Sequence, residues 1–215
     1  MTGDLLSGLL SPGREALDDG AVLLRGFVRQ AAPELLRAVD AVVADAPFRN
    51  MVTPGGYRMS VAMSNSGAVG WVTDRSGYRY DAIDPVTGRP WPAMPAIFRN
   101  VAAAAAADAG YPDFAPDACL INRYAPGARL SLHQDHDERD MSAPIVSVSL
   151  GLPATFLWGG AERRDRPRRI RLENGDVVVW GGQTRLWFHG VDTLADGEHP
   201  LTGRCRINLT FRKAL

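Results

Sequence analysis

With 215 residues, 24 basic and 24 acidic side chains and a mean hydropathy of −0.13, the chain has the composition of an ordinary soluble globular protein. Those values exclude a disordered polyelectrolyte and a helical membrane span, since the longest apolar run, Val101 to Ala107, is too short to cross a bilayer, while zero net charge neither demands nor excludes a polyanionic partner. A single domain suffices at this length and buries about 70% of its unfolded surface, enough for a closed sheet around a ligand cavity.

The amino-terminal Met1-Thr-Gly-Asp-Leu-Leu lacks a basic leader followed by an apolar core, so cytoplasmic residence is expected. Residues 31 to 45 predict a first helix, with Pro33 in its first turn and Leu35, Leu36, Val39, Val42 and Val43 along one face. The segment from Phe48 to Asp84 reads as irregular and glycine-spaced, carrying Tyr57, Trp71, Tyr78 and Tyr80 with Met59 and Met63. A second helix is predicted over 93 to 109, where alanines and Met94, Ile97, Phe98 and Val101 run to a stop at Gly110 and Pro112.

From Cys119 onward the texture changes to short β-rich runs: Cys119 to Tyr124, Ile145 to Leu150, Thr155 to Trp158, Arg168 to Leu172, Val177 to Trp180, Leu186 to His189 and Arg206 to Arg212. Short strands at this spacing without intervening helices predict an antiparallel sandwich or jelly roll. Cys119 and Cys205 sit in strand-like apolar contexts and read as free thiols. Lys213 is the single lysine, and arginines crowd Arg163 to Arg171, a segment that suits either a solvated hairpin or a phosphate-contacting surface.

In an extended segment residues i and i+2 point the same way, so His133 and Asp135 can share one ion while Gln134 points away. His189 can supply a third ligand from another strand. Two histidines and one carboxylate suit non-haem iron and leave open positions for catalysis, although zinc accepts the same groups. His136, Asp137, Glu138 and Asp140 crowd the same stretch, where any one is easily mistaken for a ligand. The last strand, Arg206-Ile-Asn-Leu-Thr-Phe-Arg212, alternates polar and apolar residues, which puts Arg206, Asn208, Thr210 and Arg212 on one face. Such a stripe faces water in most strands. Beside an iron site, paired guanidiniums instead fit a small dicarboxylate held against the metal.

Seven stretches stand out: Met51 to Tyr57, Trp91 to Pro95, Asp117 to Gly127, Leu130 to Asp135, Pro144 to Pro153, Gly175 to Gly182 and Arg206 to Arg212. Together they resemble the AlkB family of iron(II)- and 2-oxoglutarate-dependent nucleic-acid dealkylases. The resemblance runs from about residue 20 to residue 212. It implies an α+β, mainly β protein: a double-stranded β-helix over about 117–212 within one domain of 1–215, with N-terminal supporting helices and a nucleotide-recognition lid over about 48–84.

It further implies Fe(II) on His133, Asp135 and His189 as metal-binding and catalytic centre, O2 as co-reactant, and 2-oxoglutarate held by Arg212 near its keto-acid end. Arg206, with Asn208, Tyr124 and Asn122, takes the distal carboxylate. On the substrate side, Trp71 stacks on a flipped base opposite His133, and Tyr78, Thr53 and Arg163 touch the phosphate backbone. Met59 and Met63 belong to the same region, and Asp137 faces the exocyclic amine or positive charge of a methylated adenine or cytosine. The implied reaction is oxidative demethylation of 1-methyladenine- or 3-methylcytosine-type lesions in single- or double-stranded DNA, extending to RNA, by a monomer without a membrane partner. Formaldehyde, succinate and carbon dioxide are the expected products. His136, and the Trp187-Phe188 pair without a hydroxyl, depart from the family pattern. The residues alone leave two other readings: the same oxygenase acting on a protein or small molecule, and a non-catalytic nucleic-acid- or metal-binding module.

Overall fold

The computed structural model describes residues 13–215; the amino-terminal stretch read above for a leader lies outside them. In chain order the elements are β1 (Arg14–Asp18), β2 (Ala21–Leu24), α1 (Ala32–Asp45), β3 (Ala62–Gly67), β4 (Gly70–Asp74), β5 (Gly77–Asp81) and α2 (Ala96–Asp108). The remaining strands are β6 (Ala118–Tyr124), β7 (Leu130–His133), β8 (Ile145–Gly151), β9 (Ala154–Trp158), β10 (Arg168–Leu172), β11 (Val177–Trp180), β12 (His189–Val191) and β13 (Arg206–Arg212).

Seven strands form one sheet in the order β1-β2-β11-β8-β13-β6-β3, four form a second in the order β10-β9-β12-β7, and β4 and β5 make a separate hairpin. Period-two alternation decides what each face of the large sheet touches. Val22, Leu24, Cys119, Ile121, Val146, Val148, Leu150, Val177, Val179, Ile207, Leu209 and Phe211 point toward the helices and form one core with Leu35, Val39, Phe98 and Ala102. Their sequence neighbours point the other way. Leu23, Ile145, Val178 and Trp180 meet Phe156, Trp158 and Leu172 of the second sheet, closing the sandwich at one end. Two packed antiparallel sheets of this order form a double-stranded β-helix, the mainly-β fold expected from the sequence.

Neither helix is held by a side-chain cap, so packing is what stabilises both. Pro33 in the first turn of α1 and Glu34 near its positive end favour that start. Small alanines let α2 lie close to the sheet, where Phe98 meets Phe211 edge-on at 5.9 Å. It stops before Gly110, whose φ of 99° few other residues adopt.

The structure departs from the expected strands in several places, β7 among them, which the expected runs did not include. The run Leu186 to His189 is not a strand: a single 3-10 turn at Gly182–Thr184 precedes it, and pairing begins only at His189. The segment 48–84 is not irregular throughout, because it holds β3, β4 and β5, and β3 belongs to the large sheet beside β6. The sheet likewise extends beyond 117–212 through β1 and β2. Both cysteines are free thiols.

Candidate metal and cosubstrate site

A cavity of about 840 Å³ opens between the two sheets and the β4–β5 hairpin. The polar face of β13 lines it: Arg206, Asn208, Thr210 and Arg212 are all buried, so the stripe faces inward.

At one side of the cavity β12 pairs with β7, with His189 directly opposite His133 and an irregularity before Val191. The imidazole centroids lie 4.5 Å apart. Asp135, just past the end of β7, brings its carboxylate oxygens to 3.7 Å from His133 Nε2 and 3.6 Å from His189 Nε2. One candidate ligand atom from each residue falls within 4.8 Å of the others, a set able to hold one metal ion. His133 Nδ1 lies 2.9 Å from the Ser131 carbonyl and His189 Nδ1 3.0 Å from that of Trp187. Each Nδ1–H therefore donates to a backbone oxygen, which leaves Nε2 as the free lone pair aimed at the centre. Burial, reinforced by the neighbouring His189, pushes His133 down to about 4, so its imidazole is neutral and ready to ligate at pH 7. Burial would raise Asp135, but the Arg212 charge and His189 outweigh it and hold the carboxyl well below its usual range.

Behind this set lies a buried ionic network. Arg212 donates to Asp135 Oδ2 through Nε at 3.1 Å and Nη2 at 2.7 Å, and its Nε is also 3.2 Å from Glu138 Oε1. Although burial disfavours its charge, the facing carboxylates raise the Arg212 pKa above its ordinary value. Arg185 donates to Glu138 Oε2, to the backbone carbonyl of Asp135 and to that of Ala143.

Arg206 is placed differently. It is 1% exposed, it lies over the Tyr124 ring at 5.0 Å, and only its Nη2 has a partner, the Ser149 hydroxyl at 2.9 Å. Nε and Nη1 are buried without an acceptor. A buried guanidinium edge without an acceptor is costly unless an anion fills it. That edge therefore fits a carboxylate, and the cavity also holds the three-ligand set; these residues suit 2-oxoglutarate and iron. Asn122 Nδ2 donates to Asn208 Oδ1, leaving Asn122 Oδ1 unpaired, while Asn208 donates to the Ser147 hydroxyl and the Val148 carbonyl.

The outer wall comes from the hairpin. Trp71 on β4 stacks on Tyr78 on β5 with centroids 5.7 Å apart, and its Nε1 donates to Asp137 Oδ2 at 2.8 Å. Asn65 clamps the Trp71 backbone through its N–H and its carbonyl, both at 3.0 Å. Met59 and buried Met63 line the same cavity, as do Thr53 and Arg163. The Thr53 hydroxyl accepts the Tyr57 N–H, and Arg163 lies over Phe188 and donates to the Leu132 carbonyl. Glu138, Arg185 and Tyr80 complete the site without having been assigned a role from sequence. They meet across separations of 47 and 58 residues, and no local pattern marks such a contact.

Comparison with known proteins agrees with this geometry. The sequence model of the 2OG-Fe(II) oxygenase superfamily matches residues 20–212. The alpha-ketoglutarate-dependent dioxygenase AlkB of Escherichia coli (strain K12) is 62% identical over 203 residues, which cover 94% of each chain. A tRNA demethylase of Schizosaccharomyces pombe, abh1, is 36% identical over 109 residues, 45% of this chain and 36% of that protein. Among solved structures, that of OsALKBH1 superposes with a TM-score of 0.81 at 29% identity, covering 94% of this chain and all of that one.

Proposed function

The chain belongs to the 2OG-Fe(II) oxygenase superfamily and, within it, to the AlkB family, and from that premise we propose that it repairs N-alkylated bases of the 1-methyladenine and 3-methylcytosine type in DNA and RNA. It is an Fe(II)- and 2-oxoglutarate-dependent dioxygenase. Bound Fe(II), O2 and 2-oxoglutarate supply oxidation of the N-alkyl carbon, with succinate and carbon dioxide as co-products and formaldehyde lost from a methyl lesion.

In this reading His133, Asp135 and His189 hold the metal. Arg206, Ser149, Tyr124, Asn122 and Asn208 receive the distal carboxylate, and Arg212 steadies both Asp135 and the keto-acid end. Trp71 stacks on the extruded base opposite His133, with Tyr78, Thr53 and Arg163 toward the phosphates and Met59 and Met63 as apolar wall. Asp137 fixes the indole and keeps a negative charge near a cationic lesion. The protein's share of the work is to position these groups and to exclude water.

The observation that carries the proposal is Arg206: two buried donors without an acceptor in the cavity that also holds the three-ligand set. The S. pombe relative named a tRNA demethylase supports a nucleic acid as substrate. Among the described residues no helix is long and apolar enough to cross a membrane, and action as a cytoplasmic monomer belongs to the same proposal. The test supplies Fe(II), ascorbate, 2-oxoglutarate and an oligonucleotide bearing one 1-methyladenine or 3-methylcytosine, in single- and double-stranded DNA and in RNA. Formaldehyde in step with succinate is expected. Succinate formation indifferent to every methylated oligonucleotide would point to a protein or small-molecule substrate instead.

A further inference from the structure

Asp137 and Glu138, adjacent in sequence, each anchor one strand of the β4–β5 hairpin. Asp137 accepts the Trp71 indole N–H from β4, and Glu138 Oε1 accepts the Tyr80 hydroxyl from β5 at 2.6 Å. Trp71 and Tyr80 are themselves paired across the hairpin. Glu138 is buried, and its carboxylate also holds Arg212 and Arg185, the two side chains that grip Asp135 from opposite ends, one at its carboxylate and one at its backbone carbonyl. The Tyr80 hydroxyl is thus three polar contacts from the Asp135 carboxylate, through Glu138 and Arg212. All these groups are charged or donor-acceptor matched in a low-dielectric setting, where loss of one contact is felt by its neighbours.

The geometry points to Tyr80 and Glu138 as positioning residues that link seating of the hairpin to placement of Asp135 and Arg212, so that nucleic acid and metal with cosubstrate bind cooperatively. This rests on the nucleic-acid reading above. When the hairpin seats on a base, Tyr80 completes the donor set around Glu138, and the two arginines are held where Asp135 needs them. When it lifts, Glu138 keeps both arginines but loses one donor, and the pair is free to shift. Coupling of this kind is reciprocal: whatever factor the metal side adds to oligonucleotide affinity, the oligonucleotide adds to metal affinity.

The test measures binding without turnover. A fluorescein-labelled oligonucleotide with one 1-methyladenine is titrated with protein at saturating 2-oxoglutarate in the absence and presence of Mn(II), and Mn(II) affinity is measured at the same 2-oxoglutarate with and without the oligonucleotide. In the wild-type protein the two factors should agree at roughly tenfold. Tyr80→Phe, which removes one hydroxyl and leaves the ring, should bring both to within about twofold. Glu138→Gln should do the same, and the double variant should lose no more than either single one. A residue needed only for folding would instead weaken both ligands and leave the factor intact. Full coupling in both folded variants, or no coupling in the wild type, overturns the relay. A wild-type protein that does not bind the methylated oligonucleotide at all overturns the substrate reading instead.

Discussion

His133 and His189 are Cα partners across the β7–β12 pairing, and each gives its Nδ1–H to the carbonyl two residues before it. Strand register, rather than a flexible loop, therefore sets the separation of two candidate ligands. Replacing either by alanine should leave the thermal midpoint of the metal-free protein within a few degrees of wild type while lowering Mn(II) affinity by about 100-fold or more. Calorimetric titration checks it. Chelation of the metal should abolish formaldehyde release, and Fe(II) should restore it.

Arg206 should respond oppositely in stability and in cosubstrate binding. Arg206→Met removes a buried cation with two unpaired donors, so the ligand-free protein should gain about 1–3 kcal/mol in urea unfolding and lose its stabilisation by 2-oxoglutarate. Arg206→Lys keeps a charge but not the planar fork, and should raise the KM for 2-oxoglutarate by about tenfold or more. Destabilisation by the methionine variant would show that the guanidinium is satisfied by the protein alone.

The depressed His133 fixes the sign of an acid effect. In the unfolded chain this group binds a proton near 6.5, but in the folded, metal-free protein only near about 4. The unfolded state thus holds more protons between those values, and the contribution of His133 to stability is lost as pH falls from about 6.5 to about 4. Urea midpoints at pH 7 and pH 5 should differ more for the wild type than for His133→Gln. An equal drop in both would assign the acid sensitivity to other groups.

At Gly70 an added Cβ would lie 2.4 Å from Cε2 of Trp91 and 2.8 Å from the Asn65 Cβ, and Asn65 is the clamp on the Trp71 backbone. Gly70→Ala should therefore cost about 1–3 kcal/mol and displace the hairpin. Affinity for a methylated oligonucleotide should fall several-fold, with a smaller loss of Mn(II) affinity through the Tyr80–Glu138 contact, which fluorescence anisotropy and calorimetry together can read.

Asp137→Asn retains an oxygen to accept the Trp71 indole N–H but removes the charge. Its kcat/KM on the cationic 1-methyladenine should fall about tenfold, against about twofold or less on neutral 1-methylguanine. Equal losses on the two lesions would reduce Asp137 to an anchor for the ring.

How far these features could be read from the chain depends on whether their cause is local. The inward stripe of β13 follows from strand periodicity and is present as expected; His133 and Asp135 also come together, although Asp135 lies just past the end of β7. The helices were legible to within a few residues because Pro33 marks the start of the first and Gly110 the end of the second, while the start of the second, set by Pro95, was read three residues early. β3 was not, since Ala-Met-Ser-Asn-Ser-Gly is buried on both faces and built from small residues, and so shows no apolar alternation. β2 is a four-residue apolar run that periodicity cannot tell from a helix fragment. Glu138 stood in view as one of several acids beside the metal cluster, but its partners arrive from positions 80, 185 and 212, which only the folded chain brings together.

β13 is hydrogen-bonded along its length to β6 on one side and β8 on the other, so Arg206 and Arg212 ride on an interior strand of the largest sheet. Peeling it free means dismantling the sandwich, which makes its amides among the slowest to exchange with deuterated water. Heat inactivation and global melting should consequently be one event, with no partially open species that keeps its shape but forfeits its cosubstrate.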